Sequence, residues 1–487
     1  MPGVAEAHGS SIPLLCLTSD TPVREEGRGV LTELNQPGLF EPITKWAARL
    51  HHPRTAPEMV RRALRLATSG RSGAVALSMP ADVLAAEVDP ADVYPAPEFM
   101  EAPAARIRPD AAAVEQAAAL IRAARKPVIV AGGGVLISRA WDALTALAES
   151  ALIPVGTSIN GKGSIAETNR LSLGVVGGNG ARPYANQVVA ECDLLLLVGT
   201  RTDSTTTLNW TLPPKSETLK VVHIDIDPLQ IGNNYRTSVG LVGDAEACLR
   251  DLADALHGST PDADRQLWLA RIAAAKAEYF ESQHEFMRSS AQPIKPQRVI
   301  AALRRILDDD TVLVADPGTP TPYICAQYEL RHAGRWTVIP RAHGGLGFAL
   351  PAVVGAYHGR PTSRIVGVMG DGSFGMSVGE LETISRLNLP IVLVQFNNSC
   401  FGWIKELQHL YHDNRYFSVD FNPVDYAAIA RGFGLNAWSV TDPEDLDHTI
   451  HAALADGGPC FIDVVSESQI TETPPVHAWQ VAEAARR

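Results

Sequence analysis

Gly370-Asp371-Gly372 and, 27 residues after Asp371, Asn398 are the residues of this chain whose types and spacing could hold a charged cofactor. An aspartate carboxylate and an asparagine side-chain carbonyl are hard oxygen donors, matched to Mg²⁺ or Ca²⁺ and poorly matched to zinc. Gly372 and Ser373 read as a loop leading into a helix, where free backbone N–H groups can hold a phosphate. One divalent cation and one diphosphate together would satisfy both donor sets.

The spacing fits a strand–helix–strand unit. Arg364–Met369 (RIVGVM) and Ile391–Phe396 (IVLVQF) are short continuous apolar runs of buried-strand type. Between them Leu381, Ile384 and Leu387 recur at helical spacing within Val378–Leu387, and Pro390 ends the helix. Two parallel strands joined by a helix cross over right-handedly. That brings Asp371 and Asn398 to the carboxyl ends of neighbouring strands, where open α/β sheets bind ligands.

The stretch GDGSFGMSVGELETISRLNLPIVLVQFNNSCFG resembles the cofactor motif of the thiamine diphosphate enzymes of the acetolactate synthase and benzoylformate decarboxylase superfamily. Upstream, Gly344-Gly345-Leu346-Gly347-Phe348-Ala349-Leu350-Pro351-Ala352 is similar to the segment that passes beneath the thiazolium ring. The resemblance implies Asp371, Asn398 and the Cys400 backbone carbonyl as Mg²⁺ ligands. It implies Gly344, Gly345, Gly370, Gly372, Ser373, Asn398 and Phe401 as cofactor contacts, and Leu346 as the apolar wedge that bends the cofactor. It also implies a homodimer or homotetramer, because the cofactor lies between two subunits. The small-molecule substrate would be a 2-keto acid, decarboxylated and then protonated or transferred to a second carbonyl.

Composition agrees with that class. The 487 residues are too many for one ordinary core. Hydrophobic content is 46 % and mean hydropathy is near zero, as in a soluble globular protein. A net charge of −12 provides no basic face for nucleic acid. Six cysteines are scattered without a CxxC pair, which argues against zinc sites and a disulfide framework. No signal peptide or membrane span is visible, so a cytoplasmic location is expected.

The expected fold is α/β, with three doubly wound parallel-sheet domains. Residues 1–88 read as a partial pyrimidine-binding domain, 110–256 as a central Rossmann-like domain and 296–487 as the thiamine diphosphate/Mg-binding domain. A Pro-rich linker covers 89–109 and a second linker 257–295. The second contains a helical segment, Asp264–Gln283, with Leu267, Ile272 and Phe280 as its apolar positions. In the central domain, Pro127–Ala131, Asp193–Val198 and Val221–Ile226 are strand-like and end in Gly132-Gly133-Gly134, Gly199-Thr200-Arg201 and Asp227-Pro228. Such ends accept a dinucleotide. No GxGxxG is present, and a triple Gly after a strand is often only a tight turn. By the resemblance, this domain holds FAD in the acetolactate synthase branch and is often empty in decarboxylase branches. FAD therefore stays open as a second cofactor, with Arg201 either near it or in a surface ion pair.

By the same resemblance the N-terminal segment GVAEAHGSSIPLL begins in mid-domain, inside a helix that leads to a strand. Roughly half of that domain is then expected upstream of Met1, with the family's catalytic Glu in it. No Glu here occupies the motif position, and Glu33, the nearest acidic residue, reads as a salt-bridged surface group. No catalytic residue is therefore certain beyond the wedge Leu346. Leu31-Thr32 and Leu407 depart from residues that acetolactate synthases usually carry near the substrate. Trp403, Lys405 and Gln408 follow the motif, with packing expected for Trp403 and a solvated helix face for Lys405. The leading expectation is an acetolactate synthase-like decarboxylase/carboligase. A benzoylformate decarboxylase-like enzyme, suggested by GGLGFALPA, and a cofactor-binding protein inactive for want of the Glu remain as alternatives.

Overall fold

The apolar runs become strands of three separate parallel sheets. The computed structural model describes residues 1–90, 93–261 and 263–486; linker positions 91, 92 and 262 and the last residue lie outside the described part. In the N-terminal unit, strands β1 (Leu14–Asp20), β2 (Ala47–Arg49) and β3 (Ala74–Pro80) form a sheet of order β1-β3-β2. As expected, a helix, Pro2–Gly9, leads into β1.

The central unit holds β4 (Pro127–Ala131), β5 (Val155–Thr157), β6 (Ser172–Val175), β7 (Leu194–Val198), β8 (Lys220–Asp225) and β9 (Val239–Val242), in the order β6-β5-β4-β7-β8-β9. Every residue of β4 and β7 is buried, which explains their uninterrupted apolar sequence. The chain leaves β4 toward β5 and returns on its other side as β7, so a crevice opens between the ends of β4 and β7. The glycines at those ends interlock: the Gly134 N–H donates to the Gly199 carbonyl at 3.0 Å. A Cβ on Gly132 would lie 2.3 Å from that same oxygen.

The C-terminal unit contains β10 (Val312–Ala315), β11 (Thr337–Val338), β12 (Ile365–Gly370), β13 (Ile391–Asn397), β14 (Asn436–Val440) and β15 (Cys460–Val465), ordered β11-β10-β12-β13-β15-β14. The pair β12–β13 is parallel, with Gly370 opposite Phe396. Its cores lie on both faces of the sheet, one including Val366, Val394 and Ile462 and the other Phe374, Leu381 and Leu393.

Two expectations are corrected. Gly372 and Ser373 do not lie in a loop: β12 runs to Gly370 and the helix Asp371–Ser377 starts at the next residue. A second helix, Glu380–Arg386, follows, so the crossover is two short helices rather than one. The helix predicted at 264–283 spans Ala263–Met287, but Leu267 is 68 % exposed, and Trp268 and Ile272 pack on the central core. No helix among the described residues is long and apolar enough to cross a membrane.

Candidate functional site

Asp371 and Asn398 come together at the ends of β12 and β13. Asp371 is the first residue of its helix and 3 % exposed; its Oδ1 accepts from the Gly372 N–H at 2.8 Å. Its Oδ2 accepts from the N–H groups of Asn398 at 3.1 Å and Ser399 at 2.6 Å. Ser399 has a positive φ of 54°, which turns two successive amides toward the same oxygen. Burial pushes the Asp371 carboxyl up to about 7 despite these three donors, with Asp463 adding repulsion. No Lys or Arg among the described residues pairs with it. A buried carboxylate with neighbouring hard oxygens and no counter-charge is suited to a divalent cation.

The other donors meet at the same place. Asn398 Oδ1 receives only the Cys400 thiol, at 3.4 Å, and its buried Nδ2 has no partner. The Cys400 carbonyl accepts from the Gly402 N–H at 2.9 Å, and its thiol is pushed up to about 11 by burial. Phe401 packs edge-on against Phe421 at 4.7 Å, and its ring lies 2.7 Å from where a Gly372 Cβ would be. Gly372 is thus required by the packing of Phe401 over the first helical turn.

The Gly-rich segment occupies the crevice between β10 and β12. A Cβ on Gly344 would lie 3.9 Å from Pro317, one on Gly318 would lie 3.8 Å from Leu346, and one on Gly347 would lie 3.1 Å from Met376. Leu346 is 40 % exposed there. Asp316, at the end of β10, holds the far end of the segment by accepting from the Phe348 N–H at 3.0 Å and the Ala349 N–H at 2.9 Å. Burial pushes its carboxyl up to about 6, opposed by those amides and by the Ser373 hydroxyl. Ser373 therefore faces Asp316. Gly345 is exposed, and Gly370 ends β12 beside Asp371.

Beyond the loop, the helix Gly402–Tyr411 carries Trp403 against Trp479, with ring centroids 4.2 Å apart. Leu407 joins the same cluster. Lys405 is not solvated: it pairs with Asp420 at 2.5 Å and lies over the Tyr416 ring. Glu33 makes no ion pair among the described residues. Instead it accepts from the N–H groups of Gly27, Gly29 and Val30, closing its own loop.

A cavity of about 400 Å³ lies at the ends of the central strands, lined among others by Gly133, Arg201, Asp225, Asp244, Arg71 and Arg341. Arg201 lies in this cavity rather than in a surface ion pair. Burial and the charge of Arg71 hold its guanidinium below the ordinary arginine range. Burial raises Asp225 to about 6. Sequence reasoning missed Arg71 and Arg341, which come from the N-terminal and C-terminal units and carry no local motif.

The family described as thiamine pyrophosphate enzyme, central domain, matches residues 114–252, and the one described as thiamine pyrophosphate enzyme, C-terminal TPP binding domain, matches 316–464. A probable acetolactate synthase large subunit from Methanocaldococcus jannaschii is 34 % identical over 480 residues, covering 95 % of this chain and 78 % of the relative. This chain belongs to the acetolactate synthase large-subunit family of thiamine diphosphate enzymes. Its relatives include a probable large subunit from Methanococcus aeolicus, 31 % identical over 97 % of this chain and 80 % of that protein. The acetolactate synthase large subunit of Parasynechococcus marenigrum is 33 % identical, over 95 % and 74 % respectively. Family membership makes the chain a thiamine diphosphate-dependent, acetolactate synthase-like enzyme.

Proposed function

We propose that this chain binds thiamine diphosphate with Mg²⁺ at Asp371, Asn398 and the Cys400 carbonyl, and acts on 2-keto acids as a decarboxylase/carboligase. The observation that carries the reading is the buried Asp371 carboxylate, without a counter-charge and one strand from Asn398. When bound, thiamine diphosphate supplies the nucleophile and electron sink for decarboxylation. The chain's own groups do the rest. Asp371 and Asn398 would hold the cation through their side-chain oxygens, and that cation would offset the charge of the diphosphate. Gly370 would offer unobstructed backbone to the phosphates, and Gly372 makes room for Phe401 over the first helical turn. Gly344, Gly345 and Leu346 support the ring system, and Asp316 fixes the end of that support. Phe401 and Ser373 brace the helix turn beneath it.

The same proposal puts FAD in the cavity of the central unit, which Gly133 and Gly199 line at the strand ends and where Arg201 and Arg71 provide positive charge. It takes the enzyme as a homodimer or homotetramer in the cytoplasm. The deciding experiment is the exchange rate of the thiazolium C2 proton with this chain and Mg²⁺, by quench NMR, followed by product analysis with pyruvate. Accelerated exchange with acetolactate or acetoin as product supports the reading. A free aldehyde as sole product favours a simple decarboxylase, and exchange at the rate of free cofactor refutes activation by this chain.

A further inference from the structure

The N-terminal unit reaches the cofactor segment through one carboxylate. Glu6, on the helix Pro2–Gly9, is 8 % exposed. Its Oε1 accepts from the Ala342 N–H at 2.9 Å and from the Ser10 hydroxyl at 2.8 Å, and its Oε2 accepts from the His343 N–H at 2.9 Å. These contacts bridge 336 positions of sequence, and Ala342 and His343 immediately precede Gly344-Gly345-Leu346.

A second observation shows that the helix is fitted to this segment. A Cβ on Gly9 would stand 2.6 Å from the Ala342 Cβ and 3.1 Å from the His343 ring, so the helix end can dock only with glycine there. The segment is therefore held at both ends by carboxylates from different units: Glu6 before the glycines and Asp316 after them.

Both Glu6 oxygens are occupied by donors. Burial alone would raise its carboxyl, but the Ala342 and His343 amides and the Ser10 hydroxyl outweigh it and hold it below the ordinary glutamate value. An ionised, fully engaged carboxylate has no proton to give, which leaves it a mechanical role.

We propose that Glu6 is a positioning residue for the thiamine diphosphate site, fixing the backbone at 342–343 so that Gly344–Leu346 crosses the crevice between β10 and β12 at a set height. The proposal rests on the thiamine diphosphate reading of that crevice. Two amides lost together leave the glycines held on that side by the long Arg341–Thr205 hydrogen bond, at 3.4 Å, and the packing of Gly9, so local opening becomes easier.

The test compares the unaltered chain with Glu6→Ala, Glu6→Gln and Asp20→Asn. Asp20 is a buried carboxylate of the same unit whose partners Arg49, Thr21 and Ser78 all lie within that unit. Amide hydrogen exchange of residues 341–347 is followed by mass spectrometry, and thiamine diphosphate affinity with Mg²⁺ by calorimetry. Glu6→Ala is expected to speed exchange of the segment about tenfold and to weaken the affinity by about as much. Glu6→Gln, which keeps one acceptor oxygen, should fall between, and Asp20→Asn should leave the segment's exchange unchanged. Unchanged exchange in Glu6→Ala, or equal acceleration in Asp20→Asn, overturns the proposal. Unaltered chain that binds no thiamine diphosphate would instead overturn the reading of the crevice, and the exchange data would still decide whether Glu6 holds the segment.

Discussion

Replacing Glu406 by glutamine should alter how stability depends on pH. Glu406 lies on the helix Gly402–Tyr411, has no exposed surface, and neither of its side-chain oxygens has a partner. Burial pushes its carboxyl up to about 7, Glu483 pushes the same way and Arg486 opposes. Between the ordinary value of 4.5 and about 7, the folded chain keeps a proton that the unfolded chain has released. Its stabilising contribution is complete below 4.5 and is lost as pH rises through 7. The loss amounts to about 2–3 kcal/mol at alkaline pH, at 1.36 kcal/mol per pH unit with some allowance for water entry. Glutamine has the same shape and no charge, so Glu406→Gln should match the unaltered chain near pH 4 and exceed it in stability by that amount near pH 9. Thermal unfolding midpoints across this range, without cofactor, provide the assay. Parallel pH profiles would show that Glu406 is not held protonated in the fold and would refute the argument.

Three other outcomes follow from the geometry. Asp371→Ala removes the one charged donor at the proposed metal site and should abolish Mg²⁺-dependent affinity for thiamine diphosphate; calorimetry that still shows that dependence would remove Asp371 from the site. Gly402→Ala sets a Cβ 2.8 Å from Asn398 Nδ2 and 2.9 Å from Gln469 Oε1, displacing the asparagine. Cofactor affinity with Mg²⁺ should fall about tenfold while helix stability holds or rises by up to about 1 kcal/mol; unchanged affinity would mean that Asn398 is free to move. Lys162→Met leaves Glu167 with Arg182 as its remaining cation and should cost about 3 kcal/mol of stability, of which Lys162→Met/Glu167→Gln, which keeps an acceptor for the Leu330 N–H, recovers part. A double variant less stable than the single one would contradict this.

The C-terminal unit was the most legible part because its strands are buried on both faces. Uninterrupted apolar runs located β12 and β13 within one residue at each end. The helix start was misplaced because Gly372, Gly375 and Gly379 weaken the periodic signal, while the turn at 371 depends on Asp371 accepting from the Gly372 N–H. Leu267 was misassigned because Leu267 and Trp268 are adjacent and equally apolar, and only packing on the central core selects between them. Lys405 was misread because Asp420 lies across a loop with no periodicity of its own. Glu6, Arg71 and Arg341 were invisible as site residues for a deeper reason. Each acts across a unit boundary, and nothing in the local sequence records what will lie opposite.

One buried side-chain set gives the cofactor site its ruler. Asp463 on β15 accepts from Gln395 Nε2 at 3.0 Å and from Asn397 Nδ2 at 3.1 Å, two residues on the same face of β13. Backbone pairing alone would tolerate β13 sliding along its neighbour by a pleat repeat, because every strand register presents the same amides and carbonyls. The two-pronged grip does not, since a slip of two residues would strand one amide and leave half the carboxylate empty. The height at which Asn398 leaves the sheet is thereby gauged against β15, a strand that carries no proposed donor, while the β12–β13 pairing sets its distance from Asp371. Substitutions at Asp463 would loosen the placement of Asn398 before they disturbed any donor itself.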